Sequence, residues 1–319
     1  MNDTIRAVQS GDVTLSVRVI GRGPLVILMH GWPELGLSWR HQIGPLADAG
    51  FTVAAPDMRG YGSSSSPAQV DAYSTDAICD DMLAIADALG AKTWIAVGHD
   101  WGSPVAWRCA LRFPHRVSGV FSLSVPHGEP PPPTANWFQL AFPDVFFYIR
   151  YFQEVGLPEA ELEKDPKDSL KRIFHSLSGD APLGDWLTPR PIDGRLLDGL
   201  DEPPPGELTF LPDSVLDEYA RAFARRGFFG PVSWYRNIDT NSQQARAYGS
   251  GEIAQPAGFL CGSKEIVLAM NPAGLDAQRA LVPNLRMERV LPGAGHWIQQ
   301  ERPAEVTEAI LEFLTDVAS

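Results

Sequence analysis

The stretch TWIAVGHDWGSPVAWRCALRF, residues 93–113, decides the fold. It opens on a continuous apolar run, the pattern of a strand buried on both faces of a sheet. It closes on helical spacing that puts Ala106, Cys109, Ala110 and Phe113 on one side. Pro104 falls in the first turn of that helix, where a missing N–H costs nothing. Between the two lies Gly98-His99-Asp100-Trp101-Gly102. Glycines on either side allow a tight, strained turn that lifts residue 100 above the sheet. The helix N-terminus behind it favours an anion. This strand–turn–helix context distinguishes the motif from an ordinary turn aspartate and makes it a nucleophile elbow with a carboxylate at its apex.

Working outward, Val13, Leu15, Val17 and Val19 alternate on one face, the period of a strand. PLVILMH at 24–30 and FTVAAPD at 51–57 repeat the buried-strand pattern, and residues 75–89 carry a helical face of Ile78, Met82, Ile85 and Leu89. Strand and helix in alternation predict an α/β fold, with a mostly parallel central sheet flanked by helices. After VSGVFSLSV, 117–125, the alternation stops. Four prolines, Pro130 to Pro133, read as a stiff link, and DEPPPGE at 201–207 is a second break. The sheet pattern resumes at QPAGFLCG, 255–262, and LRMERVL, 285–291, before a final helix with Val306, Ala309, Ile310, Phe313 and Leu314 on its apolar face. The expected organisation is a core of residues 1–127 and 249–319 with a helical lid inserted at 128–248. Such a lid would sit over the strand ends where open α/β sheets bind ligands.

The 319 residues are 44% hydrophobic, enough for a full core, and carry a formal net charge of -13. That charge argues against nucleic-acid and anionic-membrane partners. The cysteines, Cys79, Cys109 and Cys261, have no disulfide or zinc spacing and read as buried thiols. With no basic and apolar leader and no membrane-length apolar run, a cytoplasmic protein is expected. No metal or cofactor is implied.

Two further motifs complete a reactive constellation. His30-Gly31-Trp32-Pro33-Glu34 ends the strand at 25–29, and its turn can aim the Trp32 N–H at the same point as that of Trp101. Together these form a two-donor oxyanion hole, with the His30 ring bracing the loop. Gly293-Ala294-Gly295-His296-Trp297 follows the last strand and supplies the base in the order nucleophile, acid, histidine. The acid falls on Gly262-Ser263-Lys264-Glu265-Ile266-Val267, where Glu265 is the candidate to fix the His296 tautomer.

HGWPELGLSWRHQI, PDMRGYGSSSSP, VGHDWGSPVAW, YFQEVG, GPVSWYRN and GAGHWIQQERP together resemble the soluble epoxide hydrolases of the α/β-hydrolase superfamily, from about residue 10 to the end. The resemblance implies one tyrosine in the Y-F-Q segment and one in the W-Y-R-N segment, Tyr151 and Tyr235. A strained ether needs a donor on oxygen as its C–O bond breaks, and a phenol of pKa near ~10 is protonated at neutral pH. Two departures stand out. Glu265 replaces the usual aspartate, and Ile238-Asp239-Thr240-Asn241-Ser242 lacks a tryptophan often found after W-Y-R-N.

A carboxylate at the elbow attacks a saturated carbon and becomes an alkyl ester. The reading is therefore hydrolysis of a lipophilic epoxide to a vicinal diol through Asp100, with water activated by His296. The pocket is expected to be aromatic: Trp32, Pro33, Trp101, Trp234 and Trp297, with Trp137 and Phe138 nearby. A haloalkane dehalogenase would share the carboxylate, with Trp101 and Trp32 on the leaving halide. However, Trp32 stands where those enzymes usually have Asn, and the tyrosine pair would be idle. The Glu265 change motivates a third reading, a non-catalytic binding protein. The expected partners are the epoxide and water, with a homodimer open.

Overall fold

The strand Leu25–Met29 buries all of its residues, and they alternate between two apolar layers. Leu25, Ile27 and Met29 enter one layer, while Val26 and Leu28 enter the other. This is the two-residue period of a central strand covered on both faces. The computed structural model describes residues 3–129, 144–182 and 184–318. The proline link at 130–133 and the expected pocket residues Trp137 and Phe138 lie outside the described residues.

Among the described residues, eight strands form one sheet: β1 Thr4–Ser10, β2 Val13–Gly21, β3 Leu25–Met29, β4 Thr52–Pro56, β5 Trp94–His99, β6 Val117–Leu123, β7 Ala257–Gly262 and β8 Leu285–Leu291, in the order β1-β2-β4-β3-β5-β6-β7-β8. β1 pairs antiparallel with β2, and β2 antiparallel with β4. The pairs from β4 through β8 are parallel. The sequence pattern does not reveal β1. As an edge strand it buries only Val8 and Ser10, so it has no apolar alternation to read.

One layer packs Trp39, Ile43, Leu46, Ile310, Phe313 and Leu314 against the sheet. The opposite layer joins helix α1, Thr75–Ala88, and helix α2, Gly102–Arg112, to the helices that follow β6. Each fully buried Val, Leu or Ile here stabilises by ~1.5–3 kcal/mol. All three cysteines are buried and unbridged. Between β6 and β7 the described residues contribute no strand to the sheet. They form short helices, including Tyr148–Tyr151, Leu157–Leu162, Pro166–Ser176, Asp213–Arg226 and Phe229–Arg236. No helix among the described residues is long and apolar enough to cross a membrane.

Candidate active site

The C-terminal ends of the parallel strands converge on Asp100. Its φ is 50°, a left-handed conformation rare outside glycine. The flanking glycines are sterically required. A Cβ on Gly98 would stand 2.1 Å from the Gly102 carbonyl oxygen, and one on Gly102 would stand 2.1 Å from that of Met29. Gly31 clears space for the side chain, since a Cβ there would lie 2.2 Å from Asp100 Oδ1.

The Trp32 N–H donates to Asp100 Oδ1 at 2.6 Å, and the Trp101 amide is placed to favour the charged carboxylate. The two expected backbone donors therefore meet on one group. His30 holds the first of them from behind: its Nε2 accepts the Met58 N–H at 2.9 Å and its Nδ1 lies 2.9 Å from the Gly31 carbonyl. On the other side, His296 Nε2 lies 3.3 Å from Asp100 Oδ2. His296 Nδ1 lies 2.8 Å from Glu265 Oε1. Glu265 is 2% exposed and takes up its extra methylene by also capping the helix Ile266–Met270, where it accepts the Val267 N–H at 3.0 Å.

The charges of this cluster depend on one another. Burial alone would lower the His296 pKa, but the Glu265 anion and the hydrogen bond to Asp100 raise it well above its ordinary value. Burial would raise the Asp100 carboxyl, but the hydrogen bond and charge of His296, with His99 and the Trp101 amide, bring it below its ordinary value. Each group thus favours the charged form of the other.

Beneath this pair lies a buried polar group that the sequence motifs contain but do not explain. His99 Nδ1 is 2.6 Å from Glu34 Oε2, and His99 Nε2 is 2.7 Å from the His296 carbonyl. Glu34 also accepts from Gln299 and Gln300. These side chains are all buried and tie the loop after β3, the elbow and the loop after β8 into one block.

A cavity of about 490 Å³ opens above Asp100, with Trp101, Tyr148, Ile149 and Tyr235 in its wall. Tyr235 sits in an aromatic cage, with ring centroids 5.0 Å from Trp101, 5.0 Å from Phe152 and 5.8 Å from Tyr148. Burial, reinforced by the negative charge of Asp100, raises the pKa of both Tyr148 and Tyr235, so both phenols stay protonated. Tyr151 is placed differently. Its hydroxyl donates to Glu161 Oε2 at 2.7 Å, on a buried carboxylate that also accepts the N–H groups of Leu196 and Leu197. The tyrosine of this segment that reaches the cavity is therefore Tyr148, one turn earlier.

The other expected pocket residues form the packing behind the wall. The Trp32 ring lies 5.2 Å from Phe152 and 5.9 Å from Tyr235, and Pro33 is buried beside it. The Trp234 indole donates to the Arg59 carbonyl at 3.1 Å, and that of Trp297 to Phe174 at 2.8 Å. Among the described residues, no three His, Cys, Asp or Glu side chains are grouped to hold a metal ion.

Known proteins share this architecture. A family model described as the alpha/beta hydrolase fold matches residues 24–303. Epoxide hydrolase A of Mycobacterium tuberculosis is 42% identical, over 98% of this chain and 97% of that protein. Bifunctional epoxide hydrolase 2 of Rattus norvegicus is 35% identical over 92% of this chain, which spans only 52% of that longer protein. The crystal structure of Epoxide Hydrolase A from Mycobacterium thermoresistibile superposes with a TM-score of 0.92 at 39% identity, covering 98% of each chain. The chain belongs to the epoxide hydrolases of the α/β-hydrolase fold.

Proposed function

We propose that the protein hydrolyses lipophilic epoxides to vicinal diols through a covalent ester on Asp100. The observation that carries this reading is one cavity with an ionised carboxylate at its floor and two protonated phenols in its wall. Asp100 attacks a ring carbon, and the C–O bond breaks as Tyr148 and Tyr235 donate to the departing oxygen. The alkyl ester no longer carries the negative charge that held a proton on His296. The imidazole pKa then falls, the His296 proton passes to the alkoxide held by the phenols, and the neutral ring, oriented by Glu265, takes a proton from water. Hydroxide adds to the ester carbonyl, the Trp32 and Trp101 amides hold the oxyanion, and collapse releases the diol and restores the Asp100 carboxylate.

The helices between β6 and β7 serve, on this reading, as the lid of a core formed by residues 1–127 and 249–319. They bring both phenols over the elbow and exclude bulk water from the nucleophile. Diol formation from a styrene-oxide-type substrate tests the proposal. Wild-type protein should form it, and Asp100→Asn should lose it. Undiminished diol from the variant contradicts the nucleophile assignment.

A further inference from the structure

The carbonyl of His296 is gripped by two buried donors. One is the His99 ring at 2.7 Å, and the other is the Ser124 hydroxyl at 3.0 Å. Ser124 is fully buried, stands directly after β6 and has a φ of 69°. The Val125 N–H closes on the Leu123 carbonyl at 2.8 Å across it. A positive φ inside such a three-residue ring is the rare, strained hand of the γ-turn. Serine has none of glycine's freedom there. Conformations of this kind persist where the surroundings over-determine them, and they gather at functional sites.

The strain has a clear geometric result. The Ser124 N–H stays on the Leu260 carbonyl at 3.0 Å, joining β6 to β7, while its hydroxyl is delivered to the base loop. That loop, Gly293-Ala294-Gly295, has two glycines and Gly293 at φ 72°, so it has little stiffness of its own. His296 is therefore fixed from outside. Its N–H is on the Leu177 carbonyl at 2.8 Å, its Nδ1 is at Glu265, and its own carbonyl lies between His99 and Ser124.

We infer that Ser124 is a positioning residue for the hydrolytic half-reaction, setting through the His296 carbonyl the angle at which the imidazole meets the attacking water. The inference rests on the proposed role of His296 as base. Ring opening uses Asp100 and the two phenols, with His296 acting on it only as a neighbouring charge, so it depends far less on that angle.

Rapid-quench single turnovers of a styrene-oxide-type substrate, read by intact-protein mass, separate the two steps. Ser124→Ala keeps the strained backbone and loses the hydroxyl, whereas Ser124→Gly loses both. Ester formation should stay within about twofold of wild type in each variant. Ester hydrolysis should fall roughly ten- to a hundredfold in both, the scale of a misaligned reacting group. Ser124→Gly should nonetheless unfold at or above the temperature of Ser124→Ala, because only glycine takes this φ freely. Wild-type hydrolysis in both variants overturns the inference. So does hydrolysis that recovers in the glycine variant in step with stability, or ester formation that falls alongside hydrolysis. His296→Gln is the control for the underlying reading. If it accumulates no ester, the proposed mechanism fails. If it does while the Ser124 variants hydrolyse normally, only the role of Ser124 fails.

Discussion

At the scale of single residues, the distinction between Tyr148 and Tyr151 has kinetic consequences. The Tyr151 hydroxyl is committed to Glu161, whereas Tyr148 shares the cavity wall with Tyr235. Tyr148→Phe and Tyr235→Phe should each slow ring opening by roughly 10²–10⁴-fold, the range of a lost general acid. The double substitution should nearly abolish it. Tyr151→Phe should leave ring opening close to wild type and instead lower thermal stability, since it removes one of three donors to a buried carboxylate; transient kinetics and thermal unfolding of the three variants check this. The Glu265–His296 pair gives a pH prediction. After burial, which lowers the His296 pKa, the Glu265 anion is the largest influence and raises it. Glu265→Gln therefore moves the acid limb of ester hydrolysis to lower pH, because His296 loses its proton more readily. The plateau rate should fall, because the imidazolium formed in the reaction loses its counter-ion. A pH profile of the hydrolytic step that does not move would show that another carboxylate orients the base. Asp100, His296 and Glu265 could be picked out from sequence because each stands within a few residues of the end of a strand whose pattern can be read. Tyr148 could not, because its helix is a single turn, too short for periodicity to show which tyrosine faces inward. Glu161, which captures the other tyrosine, lies ten residues downstream of it.

At the scale of elements, the segments that carry the phenols are tied to each other and to the core. Arg236 pairs with Glu159 at 2.7 Å in a buried ion pair and donates to the carbonyls of Phe152 and Glu154. Gln153 donates to the Tyr235 carbonyl. These bonds explain why Y-F-Q-E and W-Y-R-N occur together: one holds the other. Arg236→Met should cost ~3–5 kcal/mol by leaving a buried carboxylate unpaired. It should slow ring opening more than ester hydrolysis, because the phenols lose their registration while His296 does not; denaturant unfolding and single-turnover rates check both halves. The helix Phe229–Arg236 also meets the core at a contact that only glycines allow. A Cβ on Gly230 would sit 2.8 Å from the Gly60 Cα, and the Trp234 indole bonds the Arg59 carbonyl beside it. Gly230→Ala should lift this helix, raising KM and lowering kcat together in steady-state assays of diol formation. Periodicity and apolar runs show the central strands β3 to β6 in advance, because burial on both faces leaves an unmistakable pattern. The edge strand β1 and the short helices after β6 stay hidden, since their conformations are imposed by neighbours distant in sequence.

At the scale of the whole molecule, the sheet supplies rigidity and the helical layer supplies the cavity. A volume of about 490 Å³ with Trp101, Ile149, Tyr148 and Tyr235 in its wall suits an apolar epoxide held with its oxygen toward the phenols. Ile149→Trp should fill part of that space and raise KM for bulky epoxides while leaving a small terminal epoxide almost unaffected; a substrate panel with chiral product analysis reads this out. The covalent step is the claim on which the rest depends. Intact-protein and peptide mass spectrometry of His296→Gln, mixed with excess styrene-oxide-type substrate, tests it most directly. The mechanism predicts one added epoxide mass per chain, located on Asp100 and slow to disappear. Diol formation by that variant with no adduct at any time, or an adduct on another residue, would contradict it.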